Sequence, residues 1–302
     1  MASLRSKAVI AKYRMTRRKR IFADARALRQ SAESNQTETS QLPDWVRAKF
    51  DVTGRDVDGH RCYTLRPRTS AGPAHIFYLH GGAYVHQVES AHWNFLNRLI
   101  DVTGASVTVP LYPLAPAHSY RETIPMVWES YEATVGAEAP ENQVVMGDSA
   151  GGALSLFIAQ RLKARGRPQP QRVVLISPWL DITVTDPSMT ELDRHDPYLG
   201  IEGLREAGRL YARGLDPHDP RLSPIYGDLD GLAPLSVYAA TRDVLLADAR
   251  RLRELTAQRG VRIDYEEYPG MFHGWILQSL PEARDATARI AKLVNVPSPA
   301  HR

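Results

Sequence analysis

The run Val144-Val145-Met146-Gly147-Asp148-Ser149-Ala150-Gly151-Gly152 limits the fold of this chain more than any other stretch, because it joins a short apolar strand to a helix through one residue. Asn142 to Met146 is β-branched and apolar, and Ala150 to Arg165 carries Leu154, Phe157, Ile158 and Leu162 at helical spacing. Such a corner strains the backbone of its central residue, and small neighbours at 147, 150 and 151 relieve the crowding. Ser149 is expected to stand proud of a sheet edge, where a nucleophile would sit. Taken alone, G-x-S-x-G also fits a glycine-rich turn capped by serine. The strand before it and the helix after it favour the nucleophile.

A serine hydroxyl is a poor nucleophile at neutral pH and needs a base, which in turn needs an orienting group. Asp243 follows the apolar run Leu235 to Ala240, and His273 follows Val261 to Tyr268 through an expected turn at Pro269-Gly270-Met271-Phe272. Each candidate lies just past a predicted strand, as Ser149 does, and a parallel sheet would bring all three to one edge. Two other acids compete with Asp243. Asp181 follows the strand-like Arg172 to Ser177, and Asp248 lies five residues beyond Asp243.

His80-Gly81-Gly82-Ala83-Tyr84 follows another strand, Ala74 to Leu79. An acyl-transfer intermediate carries negative charge on the former carbonyl oxygen, and backbone N–H groups meet that charge best where side chains do not intervene. Gly81, Gly82 and Ala83, with Ala150 at the helix start, are the expected oxyanion donors. His80 reads as a ring that hydrogen-bonds to and props this loop. His86 and His92 lie six residues apart, a spacing that matches neither helical ligand pairs nor short-spaced metal sets, and they read as solvated or packed.

With these parts in place, the chain resembles the hormone-sensitive lipase group of α/β-hydrolases, whose bacterial members are esterases. The resemblance rests on HGGAY at 80–84, GDSAGG at 147–152, TRDVLLAD at 241–248 and YPGMFHGW at 268–275, and it extends from near residue 48 to near residue 280. It implies Ser149 as nucleophile, His273 as general base and acid, and Asp243 as the orienting carboxylate. It also assigns the oxyanion donors to the Gly81–Ala83 stretch and Ala150. The departures are Ala83, where the family usually has a third glycine, and Val244, where it often has proline. The Ala83 methyl is expected to narrow the hole or exclude bulky alcohol groups.

The expected fold is therefore an α/β-hydrolase: an eight-stranded, mostly parallel sheet flanked by helices, with a helical cap. Strands are predicted at 49–53, 61–66, 74–79, 105–109, 142–146, 172–177, 235–240 and 261–268, the first two forming an antiparallel start. The catalytic domain is expected over 46–298. Between Asp181 and Pro234 the strand–helix alternation lapses for more than fifty residues, which points to a cap insertion at about 182–225 with a helix from Ile201 to Arg213.

Residues 1–45 form a separate N-terminal segment. Residues 1–20 hold eight Lys or Arg and no acid, whereas the whole chain is +4, so the body is net acidic. Basic residues alternate with Leu4, Val9, Ile10, Met15, Ile21 and Phe22 in a partly amphipathic helix pattern to about Gln30. The resemblance favours a cap helix, with membrane contact or a targeting sequence as the alternatives. A polar linker is expected from Gln30 to Gln41. No apolar stretch has secretory or membrane-spanning length. The single cysteine, Cys62, excludes an internal disulfide and suits a cytoplasmic protein.

No P-loop, G-x-G-x-x-G, H-E-x-x-H or cysteine pair is present, so the sequence calls for no metal, nucleotide or flavin cofactor. The basic run lacks the interleaved aromatics and reading motif of a nucleic-acid binder. The partner is expected to be a small ester, with a homodimer left open. Tyr84, Trp93, Tyr198 and Leu199 are expected to line a modest apolar pocket suited to short or medium acyl chains. Lactones and amides remain alternative substrates on the same residues, and a non-catalytic ligand-binding protein is the rival class.

Overall fold

Residues 75–79 and 143–148 are buried along their whole length, as strands must be when helices cover both faces of a parallel sheet. The computed structural model describes residues 2–35, 42–69 and 71–295. Among these, eight strands form one sheet: β1 (Phe50–Val57), β2 (His60–Pro67), β3 (His75–Leu79), β4 (Ser106–Pro110), β5 (Gln143–Asp148), β6 (Arg172–Ile176), β7 (Leu235–Arg242) and β8 (Ile263–Phe272). Their order is β1-β2-β4-β3-β5-β6-β7-β8. Pairings of β2 with β1 and β4 are antiparallel and the rest are parallel, as the sequence predicts.

The helices are α1 (Leu4–Met15), α2 (Ala25–Asn35), α3 (Asp44–Lys49), α4 (Ser90–Thr103), α5 (Tyr120–Glu132), α6 (Ala150–Ala164), α7 (Met189–His195), α8 (Ile201–Ala212), α9 (Leu246–Gln258) and α10 (Pro281–Asn295). Alternate residues of each central strand serve opposite layers. Ile76, Tyr78, Val144 and Met146 pack with Leu96 and Leu99 of α4 and Ile290 of α10. Phe77, Leu79 and Val145 face the other way, onto Ile124 and Val127 of α5 and Leu154 and Ile158 of α6. On that same side Val173, Leu175 and Val237 meet Leu156 of α6 and Leu252 of α9.

The N-terminal segment departs from the expected single helix. Arg17 takes a left-handed backbone, φ 51°, ending α1 and starting a 3-10 turn at Arg18–Phe22. Asp24 Oδ1 then accepts the Ala27 N–H at 2.8 Å and starts α2. The predicted linker Gln30–Gln41 is thus helical as far as Asn35, because Leu28 and Ala32, one turn apart, are buried in the cluster that holds Leu204 and Ala207 of α8. Its remainder, 36–41, lies outside the described residues. The turn predicted at 269–272 is instead the end of β8, an edge strand where Pro269 forfeits little pairing. Helices α7 and α8 occupy the long excursion between β6 and β7.

Candidate active site

Ser149 is the only residue between β5 and α6, and it holds φ 53°, ψ −122°, a strained combination for a residue with a side chain. Neighbouring backbone fixes it. Its N–H donates to Ile176 O of β6 at 2.9 Å, and its carbonyl accepts the Trp179 N–H at 3.0 Å. Ser149 lines a cavity of about 460 Å³.

His273, one residue past β8, lines the same cavity. Its Nδ1 lies 2.9 Å from Asp243 Oδ2, one residue past β7. A carboxylate only accepts, so Nδ1 carries the proton and Nε2 is left with its lone pair. The other Asp243 oxygen, Oδ1, accepts the Leu245 N–H at 2.9 Å and holds the carboxylate in place. Burial opposes charge on His273, but Asp243, with Asp196 and Asp148 farther off, outweighs it and lifts the pKa above 6.5. No hydrogen bond joins Ser149 to His273 among the described residues; such contacts commonly tighten only around substrate.

The competing acids are engaged elsewhere. Asp181 pairs with Arg251 at 3.0 Å and accepts the Tyr226 hydroxyl at 2.6 Å. Asp248 accepts the Leu180 and Asp181 N–H groups, at 2.7 and 3.0 Å. Neither is paired with His273.

The loop after β3 needs one correction. Gly81 donates its N–H to Asp148 Oδ1 at 2.9 Å, so that group is turned away from any oxyanion. The N–H groups of Gly82, Ala83 and Ala150 have no partner among the described residues. Gly82 takes φ +118°, and a Cβ there would lie 2.3 Å from His86 O, so only glycine fits. His80 donates from Nδ1 to Gly81 O at 2.6 Å and stacks on Tyr112 at 4.1 Å between ring centroids. Tyr112 in turn donates its hydroxyl to His80 O at 2.5 Å.

His92 is buried and has a defined task. Its Nδ1 accepts the Glu89 N–H at 3.0 Å, closing a capping box at the start of α4. That leaves the proton on Nε2, 3.6 Å from Asp148 Oδ2. Burial disfavours charge on both groups, yet their attraction outweighs it, raising the His92 pKa and lowering that of Asp148. Asp148 also accepts the Tyr78 hydroxyl at 2.5 Å. Its place inside the G-D-S-A-G turn was the signal for this bracing position.

Asp196, absent from the sequence-based site, is buried against the acid loop. Its Oδ2 accepts the Val244 N–H at 3.0 Å, while Oδ1 accepts those of Tyr198 and Leu199 at 2.7 and 2.9 Å. Burial, reinforced by the charge of Asp243, pushes its pKa up to about 7. The turn-forming run Asp196-Pro197-Tyr198-Leu199 carried a signal, since aspartate commonly accepts N–H groups two residues on.

Of the four residues expected in a pocket, Tyr198 and Leu199 line this cavity and Tyr84 and Trp93 do not. Tyr84 stacks on Tyr211 of α8 at 3.7 Å, and Trp93 packs with the core beneath α4. Both rings are taken up by these core contacts and stand away from the cavity. Polar groups share the lining with apolar ones: Lys12, Arg18, His86, Gln87, Glu89 and Gln278 stand beside Ile21, Phe22, Leu199 and Leu277. Tyr13, Arg18 and Phe22 bring the N-terminal segment to the wall, and Arg18 reaches the Tyr198 hydroxyl at 3.3 Å.

A buried carboxylate, an imidazole with one nitrogen free, a serine on a strained turn and unpaired N–H groups are the components of nucleophilic acyl transfer. Relatives carry the same architecture. A family model described as the alpha/beta hydrolase fold matches residues 76–277. An esterase of Acinetobacter venetianus is 36% identical over 221 residues, 72% of this chain and 73% of its own length. An acetyl-hydrolase of Streptomyces hygroscopicus is 33% identical over 225 residues, 74% of this chain and 75% of its own. The crystal structure of an esterase from the bacterial hormone-sensitive lipase family superposes with a TM-score of 0.83 at 27% identity, covering 99% of this chain and 100% of that one. This chain belongs to the hormone-sensitive lipase group of the α/β-hydrolases.

Proposed function

We propose that this chain hydrolyses carboxylic esters of short to medium acyl length through Ser149, His273 and Asp243. The observation that carries the reading is the 2.9 Å Asp243–His273 contact, which leaves the imidazole Nε2 facing the cavity that Ser149 also lines. His273 Nε2 takes the Ser149 proton as Oγ attacks the ester carbonyl, and the N–H groups of Gly82, Ala83 and Ala150 receive the oxyanion. His273 then returns the proton to the departing alcohol. Water repeats the sequence on the acyl-enzyme, releasing the acid and restoring Ser149.

The N-terminal segment and the α7–α8 excursion together act as the cap in this reading, because Tyr13, Arg18, Phe22, Tyr198 and Leu199 wall the cavity. A cavity of about 460 Å³ with a mixed apolar and polar lining suits short and medium acyl chains better than long triglycerides. The relatives named esterase and acetyl-hydrolase support ester bonds as the target.

The test is steady-state hydrolysis of p-nitrophenyl esters from acetate to palmitate, with lactone and anilide arms, by wild type and Ser149→Ala. Turnover greatest on short chains and reduced by about 10⁶ in the variant is the expected outcome. Turnover confined to the lactone or anilide arm would reassign the substrate. Absence of turnover on every arm by a folded protein would sink the enzymatic reading.

A further inference from the structure

We infer that the outward face of α1 docks on an anionic lipid bilayer. Leu4 and Met15 are the two most exposed large apolar side chains among the described residues, each with 83% of its surface open. They lie eleven residues apart, three helical turns, and so share one face. Ala8 and Ala11 fall between them on that face and are also exposed, giving a stripe at i, i+4, i+7 and i+11 that points at solvent. Exposed Lys7 and Arg14 flank the stripe on one side, and exposed Arg5 and Lys12 flank it on the other. None of these four cations has an ion-pair partner among the described residues.

The helix cannot readily roll this stripe inward, because polar contacts pin the opposite face. Glu282 of α10 accepts the Ser3 N–H at 2.5 Å and the Ser6 hydroxyl at 2.8 Å, and Ile10 is buried below. An apolar stripe bordered by long cationic side chains is the pattern that lies in a membrane interface, with its methyl groups below the headgroups and its ammonium and guanidinium groups among the phosphates. A second copy of the chain fits less well. Four side chains on one helix are far fewer than the twenty to thirty residues a side typical of a stable dimer, and the rest of the molecule offers a net acidity of only four charges over 282 residues. Lys12 and Tyr13 of the same helix line the active-site cavity, so docking would set the cavity beside the lipid surface.

The test is co-sedimentation of the full chain with phosphatidylcholine vesicles, with and without phosphatidylglycerol. Binding that requires phosphatidylglycerol and weakens with salt is expected. Lys7→Gln with Arg14→Gln should lower the partition coefficient roughly twenty-five-fold, about fivefold per cation. Leu4→Ser with Met15→Ser should weaken binding at a salt concentration where wild type still binds. Both pairs lie outside the cavity and should leave the melting temperature and the turnover of a soluble ester at wild-type values. Failure to bind phosphatidylglycerol vesicles, or binding that neither pair alters, overturns the proposal. Self-association of wild type that is lost in Leu4→Ser with Met15→Ser overturns it too, by giving the face to a second copy.

Discussion

Asp148 Oδ1 accepts the Gly81 N–H at 2.9 Å, so the residue before the proposed nucleophile holds the loop that faces it. The same carboxylate takes the Tyr78 hydroxyl and attracts the His92 imidazole. Asp148→Asn can keep an oxygen toward Gly81 and Tyr78, but its NH₂ then meets the protonated Nε2 of His92. Moving that proton to Nδ1 would break the Glu89 capping contact. Either way a buried donor is orphaned, at about 1–3 kcal/mol. The expected outcome is a melting temperature lower by several degrees and a kcat lower by roughly tenfold to a hundredfold, less than the loss of a whole oxyanion donor. Thermal unfolding together with kcat and KM on a p-nitrophenyl ester checks both, and an unchanged kcat would deny Asp148 any positioning role.

In the proposed mechanism His273 must be neutral to accept the Ser149 proton, so kcat/KM should fall as pH drops through its pKa. Burial pulls that pKa down, but the facing carboxylates pull harder, and the acidic limb should sit above pH 6.5. Asp243→Asn should move the limb downward and cut kcat by about 10⁴ through the wrong tautomer. The stability sign is opposite to that of activity. A histidine with a raised folded pKa stabilises the fold fully below its unfolded value near 6.5, and the contribution is lost as pH rises through the folded pKa. Melting curves against pH for wild type and His273→Gln should diverge in that window, with the wild type relatively more stable on the acid side.

The positions of Ser149, Asp243 and His273 were legible because each follows a strand-like run, and a parallel sheet collects such ends. The reach of Asp148 was not, because Tyr78 and Gly81 lie about seventy residues upstream. Asp196 was hidden for the same reason, its Val244 partner being 48 residues downstream. The length of α2 depends on α8, which supplies the apolar surface that Leu28 and Ala32 bury. For α1 the sequence displayed alternating basic and apolar residues without revealing which face turns inward. Glu282 decides that by hydrogen bonding to Ser3 and Ser6, and Leu4 and Met15 are left outside.

Asp196 ties the turn that carries Tyr198 and Leu199 to the loop that carries Asp243. Asp196→Asn offers one accepting oxygen in place of two, so the Val244 N–H loses its acceptor. A drop in kcat of roughly tenfold is expected for a contact of this kind. The variant also removes one carboxylate facing His273, so the acidic limb of kcat/KM should shift to lower pH. A merely structural residue would leave that limb in place. On stability, an aspartate raised to about 7 favours the fold when protonated, fully below its unfolded value near 3.8, and loses this as pH rises toward 7. The deficit in melting temperature of the variant should therefore shrink between about pH 4 and pH 7.

Gly203 of α8 is where the N-terminal 3-10 turn rests on that helix. A Cβ at this position would lie 2.4 Å from Phe22 Cα and 2.6 Å from Phe22 O, both backbone atoms that cannot swing aside. Gly203→Ala should therefore push the 3-10 turn off α8 and carry Phe22, a cavity-wall residue, with it. Overpacking of this sort costs about 1–3 kcal/mol, partly offset by the better helix propensity of alanine. The chemistry at Ser149 lies on other elements and should persist. Because the wall moves while the reacting groups stay, KM for p-nitrophenyl butyrate should rise several-fold with little change in kcat, and the ratio of octanoate to butyrate turnover should increase. A lower melting temperature with an unchanged chain-length ratio would mean that the N-terminal segment braces the fold without shaping the site.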